Sequence, residues 1–112
     1  MLGGVTLSSN FDGIKTRKFG IEIEMTGLTR SQAAKAMANV LDGRVEHEGG
    51  SYDKYVVTDS KNRKWAVVYD GSINCYNANG DRASKSYSVE MNSPVLEYED
   101  IPLLQEVVRA LR

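Results

Sequence analysis

Residues Phe19 to Met25 read Phe-Gly-Ile-Glu-Ile-Glu-Met, and this alternation constrains the chain more than any other stretch. Successive side chains of a β-strand leave opposite faces, so Phe19, Ile21, Ile23 and Met25 share one face and Glu22 and Glu24 the other. We expect a half-buried strand over Lys18–Met25. Its apolar face needs a second layer to cover it.

Two segments can supply that layer. In "TRSQAAKAMANVLDG", Thr29 and Gln32 form a capping box that starts a helix. Ala33, Ala34, Met37, Val40 and Leu41 follow as an apolar stripe at helical spacing, and Gly43 is placed to stop the helix. In "DIPLLQEVVRALR", Asp100 is the expected cap and Pro102 is tolerated in the first turn. Leu103, Leu104, Val107, Val108 and Leu111 form its apolar side.

Between the two helices the pattern is β-rich. Arg44–Glu48 reads as a short edge strand, ended by Gly49-Gly50-Ser51. Lys54–Asp59 and Lys64–Asp70 read as a hairpin around Ser60–Arg63, whose charged tip (Lys61 to Lys64) is expected to be solvated. Ile73–Asn77 can extend the sheet, Asn79-Gly80-Asp81 is a turn, and Ser86–Met91 is a further strand with Glu90 on its polar side. The prediction is an α+β domain: a mostly antiparallel sheet with two helices packed on one face. Residues 1–18 lack periodicity and read as a flexible leader; 19–112 are the folded domain.

A length of 112 residues suits one core, and 41% apolar with 26% charged residues is ordinary globular composition. The net charge of −1 creates no basic field, which argues against nucleic acid or an anionic membrane as a partner. The single cysteine, Cys75, has no partner for an internal disulfide, and no apolar run is long enough to span a bilayer. A cytoplasmic protein is expected. His47, flanked by Glu46 and Glu48, is too remote in sequence to suggest a cysteine–histidine pair.

Four acidic residues carry the chemical interest: Glu22, Glu24, Asp70 in "YDGS" and Glu90 in "YSVEMNSP". If their strands are neighbours, these carboxylates converge on one face and raise each other's pKa unless a cation intervenes. Magnesium takes such oxygens and keeps its remaining positions for water and phosphate, so the face would suit an ATP–magnesium site. Equally, each residue fits the wet face or the turn of an ordinary sheet. There is no GxxxxGK[ST] phosphate loop and no cysteine–histidine cluster for zinc.

Taken in order, "FGIEIEMTG", "KWAVVYDGSI" and "YSVEMNSPVLEYEDIPLLQEVVRALR" resemble the amidoligase family of bacteria and phages, related to glutamate–cysteine ligases and glutamine synthetase. The shared pattern is G-x-E-x-E, then W-x-V-x-x-D-G-S, then E-x-x-S-P and a helix. The resemblance implies part of a glutamine synthetase/glutamate–cysteine ligase-like fold and an ATP-dependent carboxylate–amine ligase working through an acyl phosphate. It implies Glu22, Glu24 and Glu90 as magnesium ligands, with Asp70 beside them as a catalytic residue. Ser72 and Ser93 are implied on the substrate or nucleotide side. The substrates would be a small-molecule or peptide carboxylate and an amine.

In the family a strand with a G-x-H-V-H-like motif and later basic residues follow the helix, whereas this sequence ends at Arg112. The expectation is therefore an N-terminal portion with little turnover on its own. The alternative is a non-catalytic binding domain that keeps the fold.

Overall fold

The computed structural model describes residues 2–5, 17–71 and 85–112, the first four by backbone alone. Six strands, β1 (Leu2–Val5), β2 (Glu22–Met25), β3 (Arg44–Gly49), β4 (Lys54–Thr58), β5 (Lys64–Tyr69) and β6 (Val89–Asn92), form one sheet. Helix α1 (Arg30–Leu41) follows β2, and α2 (Ile101–Ala110) follows β6. The strand order is β1-β2-β6-β5-β4-β3, with antiparallel pairing throughout. The α+β expectation is met. Four residues of the segment read as a leader, Leu2–Val5, run as an edge strand beside β2.

The topology sets up the site. After β2, helix α1 carries the chain across the sheet to β3 at the opposite edge. Strands β3, β4 and β5 then return as a meander, and β6 inserts between β5 and β2. Inward residues form continuous rows: Ile23, Met91, Val67 and Tyr55 are register partners in turn, as are Met25, Val89 and Tyr69. Ile23, Met25, Trp65, Val67, Val89 and Met91 are fully buried. They pack with Ala33, Ala34, Met37 and Leu41 of α1 and with Leu104 and Val107 of α2. Both helices cover this one face, as the two apolar stripes require.

Local chemistry explains the helix boundaries. The Gln32 N–H donates to Thr29 Oγ1 at 3.2 Å and the Thr29 N–H to Gln32 Oε1 at 2.9 Å, which completes the capping box. At the other end Asp42, not Gly43, takes the left-handed conformation (φ 50°). Gly43 is needed for a different reason. A Cβ there would lie 2.4 Å from the Thr58 carbonyl oxygen, so its hydrogen permits close approach to β4.

Regular pairing in β2 starts at Glu22 rather than Lys18. Before it, Phe19 and Leu96 exchange backbone hydrogen bonds of 2.9 and 2.8 Å as an isolated bridge. Between these two paired stretches lies Ser93-Pro94. The Ser93 N–H donates to the Ile21 carbonyl at 2.9 Å, while the Ile21 N–H donates to Ser93 Oγ at 2.9 Å. The same hydroxyl donates to the Pro94 carbonyl at 2.8 Å. Strand β6 also begins later than expected, because Lys85–Tyr87 form a 3-10 turn.

The hairpin tip departs from a solvated cluster. Lys61 is 67% exposed, but the Arg63 side chain is only 20% exposed. Asp59, buried at the turn, accepts from the Lys61 and Arg63 N–H groups (2.9 Å each), from Arg63 Nε (3.0 Å) and from Trp65 Nε1 (3.0 Å). Arg63 Nη1 reaches Asp100 Oδ2 at 2.9 Å, tying the hairpin to the start of α2. Asp100 holds the N-cap position, yet its carboxylate accepts the Glu97 N–H (2.8 Å) of the preceding 3-10 turn instead of an α2 donor. Burial alone would raise both aspartates. The Trp65 and Arg63 donors outweigh it at Asp59, the Glu97 N–H and Arg63 outweigh it at Asp100, and both end below the ordinary value of 3.8.

Candidate carboxylate site

The face of the sheet away from the helices carries the acids. Glu24 and Glu90 are direct register partners across β2 and β6, and Glu22 is opposite Asn92. Glu90 also faces Val68 on β5, and Asp70 continues from the end of that strand. Tyr69 is inward, so the period of two turns Asp70 to the open face, diagonal to Glu90. The result is a three-residue cluster. One carboxylate oxygen from each of Glu24, Asp70 and Glu90 lies within 4.8 Å of the others.

The members differ in exposure, Glu24 being exposed while Asp70 and Glu90 are half-buried. Burial pushes the Glu90 carboxyl above its ordinary value of 4.5. A bond from Asn92 Nδ2 to Glu90 Oε2 (3.0 Å) opposes the shift, and the charges of Glu22, Asp70 and Glu24 add to it. Like charges placed directly opposite on neighbouring strands destabilise a sheet. The fold therefore holds Glu90 in a position that disfavours its charge, and a divalent cation would relieve that cost.

The donor set fits a hard ion. Three carboxylates, one steadied by an amide, leave octahedral positions for water and phosphate, which is magnesium's habit. Among the described residues no cysteine or histidine, the ligands zinc prefers, joins the cluster.

The acidic residues singled out in the sequence are placed as follows. Glu24, Asp70 and Glu90 meet. Glu22 shares their face and field but stands outside the trio, one step along β2. Ser93 stitches β2 to β6 through its hydroxyl, so the role visible here is architectural. Ser72, like Cys75 and the expected 73–77 strand and 79–81 turn, lies outside the described residues. Asn92 was missed by sequence reasoning, although its position two residues beyond Glu90 puts both on one strand face. His47, the register partner of Tyr55, stands on the helix side, stacked on that ring at 4.1 Å and bonded to Asp53 Oδ1 at 2.6 Å.

A sequence model of the family described as "Putative amidoligase enzyme" matches residues 15–112. The chain belongs to the amidoligase family. No curated protein and no solved structure gives a significant match. The matched span takes in the three segments on which the resemblance was drawn, from Gly20 and Glu22 to Glu90 and Pro94, together with both helices. Among the described residues no helix is long and apolar enough to cross a membrane.

Proposed function

We propose that this amidoligase chain forms the metal-binding wall of an ATP- and magnesium-dependent site that joins a carboxylate to an amine. One observation carries the reading: three carboxylates on three separate strand ends converge within 4.8 Å on an open sheet face. Under it, the sheet is part of a glutamine synthetase/glutamate–cysteine ligase-like fold, and the protein works in the cytoplasm.

Glu24, Asp70 and Glu90 would hold magnesium, with Glu22 adding negative field beside them and Asn92 aiming the Glu90 carboxylate. When bound, the ion would neutralise triphosphate charge and orient the terminal phosphoryl group. The substrate carboxylate oxygen would take that phosphoryl group, releasing ADP. The amine nitrogen would then attack the acyl carbon, forming the C–N bond as phosphate leaves. The rigid sheet supplies placement, because each ligand sits on or directly beside a paired strand.

The test is a 15N-labelled spectrum titrated first with magnesium and then with ATP. Saturable shifts at Glu24, Asp70 and Glu90, with ATP effects that require magnesium, support the reading. No perturbation at millimolar ligand defeats it and leaves an ordinary wet sheet face.

A further inference from the structure

The geometry points to Arg30 as the positioning residue of the carboxylate cluster: from the helix side, it clamps the strand ends that carry Asp70 and Glu90. The inference rests on the metal-site reading above and adds a residue that no sequence motif marked.

Arg30 is the first residue of α1, fixed in place by the Thr29–Gln32 capping box. Its side chain is only 13% exposed and is engaged in three directions. Its Nη1 donates to the Ser88 carbonyl at 3.2 Å and lies 3.5 Å from the Lys85 carbonyl, which binds it to the entry of β6 two residues before Glu90. Its guanidinium stands 5.4 Å from the centroid of the Tyr69 ring, immediately before Asp70. Its Nε donates to Asp53 Oδ2 at 2.8 Å.

The Asp53 contact also leads back to the cluster. Asp53 closes the turn that follows β3, with its N–H on the Gly50 carbonyl at 3.1 Å and a left-handed φ of 45°. Within that turn the Tyr52 carbonyl accepts the Tyr69 N–H at 2.8 Å, past the last β4–β5 register pair. Arg30 thus holds the end of β5 twice, by the ring of Tyr69 and through the turn that binds its amide, and holds the start of β6 once.

Metal affinity depends on ligand oxygens being fixed to a fraction of an ångström, and groups behind the ligands supply much of that order. Asp70 follows the last residue of β5, and Glu90 is the second residue of β6. The ladder ends close to both, since the last β5–β6 register pair is Tyr69 with Val89, so groups beyond it complete their placement. A planar fork can serve Asp53 and Ser88 together while lying against a ring, which an ammonium group cannot do.

The experiment measures manganese affinity of the 112-residue chain by the loss of free-ion paramagnetic resonance signal, at a temperature where circular dichroism shows every variant folded. Arg30→Gln should weaken binding about ten- to a hundredfold. Arg30→Lys, which keeps the charge without the fork, should fall between it and the wild type. Arg63→Gln breaks a comparable ion network at the other end of the sheet and should leave affinity within about twofold, since distant sites act independently. If Arg30→Gln does not fold, the graded loss in Arg30→Lys against Arg63→Gln decides. Equal affinity in wild type and Arg30 variants overturns the positioning role while the metal site stands, as does an equal loss in Arg63→Gln. A wild-type chain that takes up no manganese overturns the metal reading and this inference with it.

Discussion

Replacing Glu90 with glutamine should stabilise the metal-free protein and abolish its response to magnesium. The magnitude follows from the cluster geometry. Two unit charges 4.8 Å apart repel by about 0.9 kcal/mol at the dielectric of water, the suitable limit because Glu24 is exposed. Glu90 faces two such neighbours, Glu24 and Asp70, so neutralising it relieves about 2 kcal/mol of repulsion, and release from burial and from the Glu22 charge acts in the same direction. The glutamine oxygen still accepts from Asn92 Nδ2, but loss of the charged acceptor returns about 1 kcal/mol. The net gain is about 1 kcal/mol, or roughly 4 °C in melting temperature for a domain of this size. The assay is thermal unfolding of both proteins at neutral pH and low salt, in chelator and then in millimolar magnesium. In chelator Glu90→Gln should melt higher, by a margin that narrows as salt is added. Magnesium should raise the wild type alone, through preferential binding to the folded state. A variant that melts lower in chelator, or that gains as much as wild type from magnesium, refutes the argument.

Three further outcomes are expected. Asp53, Asp59 and Asp100 all titrate below 3.8 in the folded protein, so the stability they confer is fully present above that value and is lost as pH falls through their folded pKa values. Glu90 has the opposite sign: its folded pKa lies above 4.5, so its penalty is present at neutral pH and is relieved as pH falls toward 4.5. Metal-free urea midpoints should therefore hold or rise in mild acid and drop steeply below about pH 4, whereas a monotonic fall from neutrality would contradict the signs. Gly43→Ala should cost about 1–3 kcal/mol in urea unfolding, because its Cβ must displace the Thr58 carbonyl; a neutral result would mean that α1 and β4 separate easily. Ser93→Ala should cost about 1–2 kcal/mol and speed hydrogen exchange at the Ile21 amide, and unchanged protection there would remove the stitching role.

What could be read in the sequence was what short-range chemistry decides. The Thr29–Gln32 box, the apolar stripes of α1 and α2, the β4–β5 hairpin and the shared face of Glu22 and Glu24 all depend on residues a few positions apart. The order of the strands does not. Nothing local announces that β6 slides between β5 and β2, and that insertion is what sets Glu90 against Glu24 and brings Asp70 into the trio in place of Glu22. The same limit hid the hairpin network, since Arg63 looks like a solvated turn residue until Asp100 is folded beside it. It also hid Arg30, whose partners Asp53, Tyr69 and Ser88 lie on three different segments. Ser93 shows the reverse case. The Ser-Pro signature was legible, but its hydroxyl accepts the Ile21 N–H and donates to the Pro94 carbonyl, partners that only the folded pairing of the two segments brings together.

Glu24, Asp70 and Glu90 are proposed to hold one divalent cation together. Paramagnetic broadening by substoichiometric manganese in the 15N spectrum of the full chain tests it most directly. The amides of Glu24, Asp70 and Glu90 should broaden first, those of His47 and Ala33 on the helix side should persist, and excess magnesium should restore the signals. Uniform broadening, or broadening centred on other carboxylates such as Glu97 and Glu99, would contradict it.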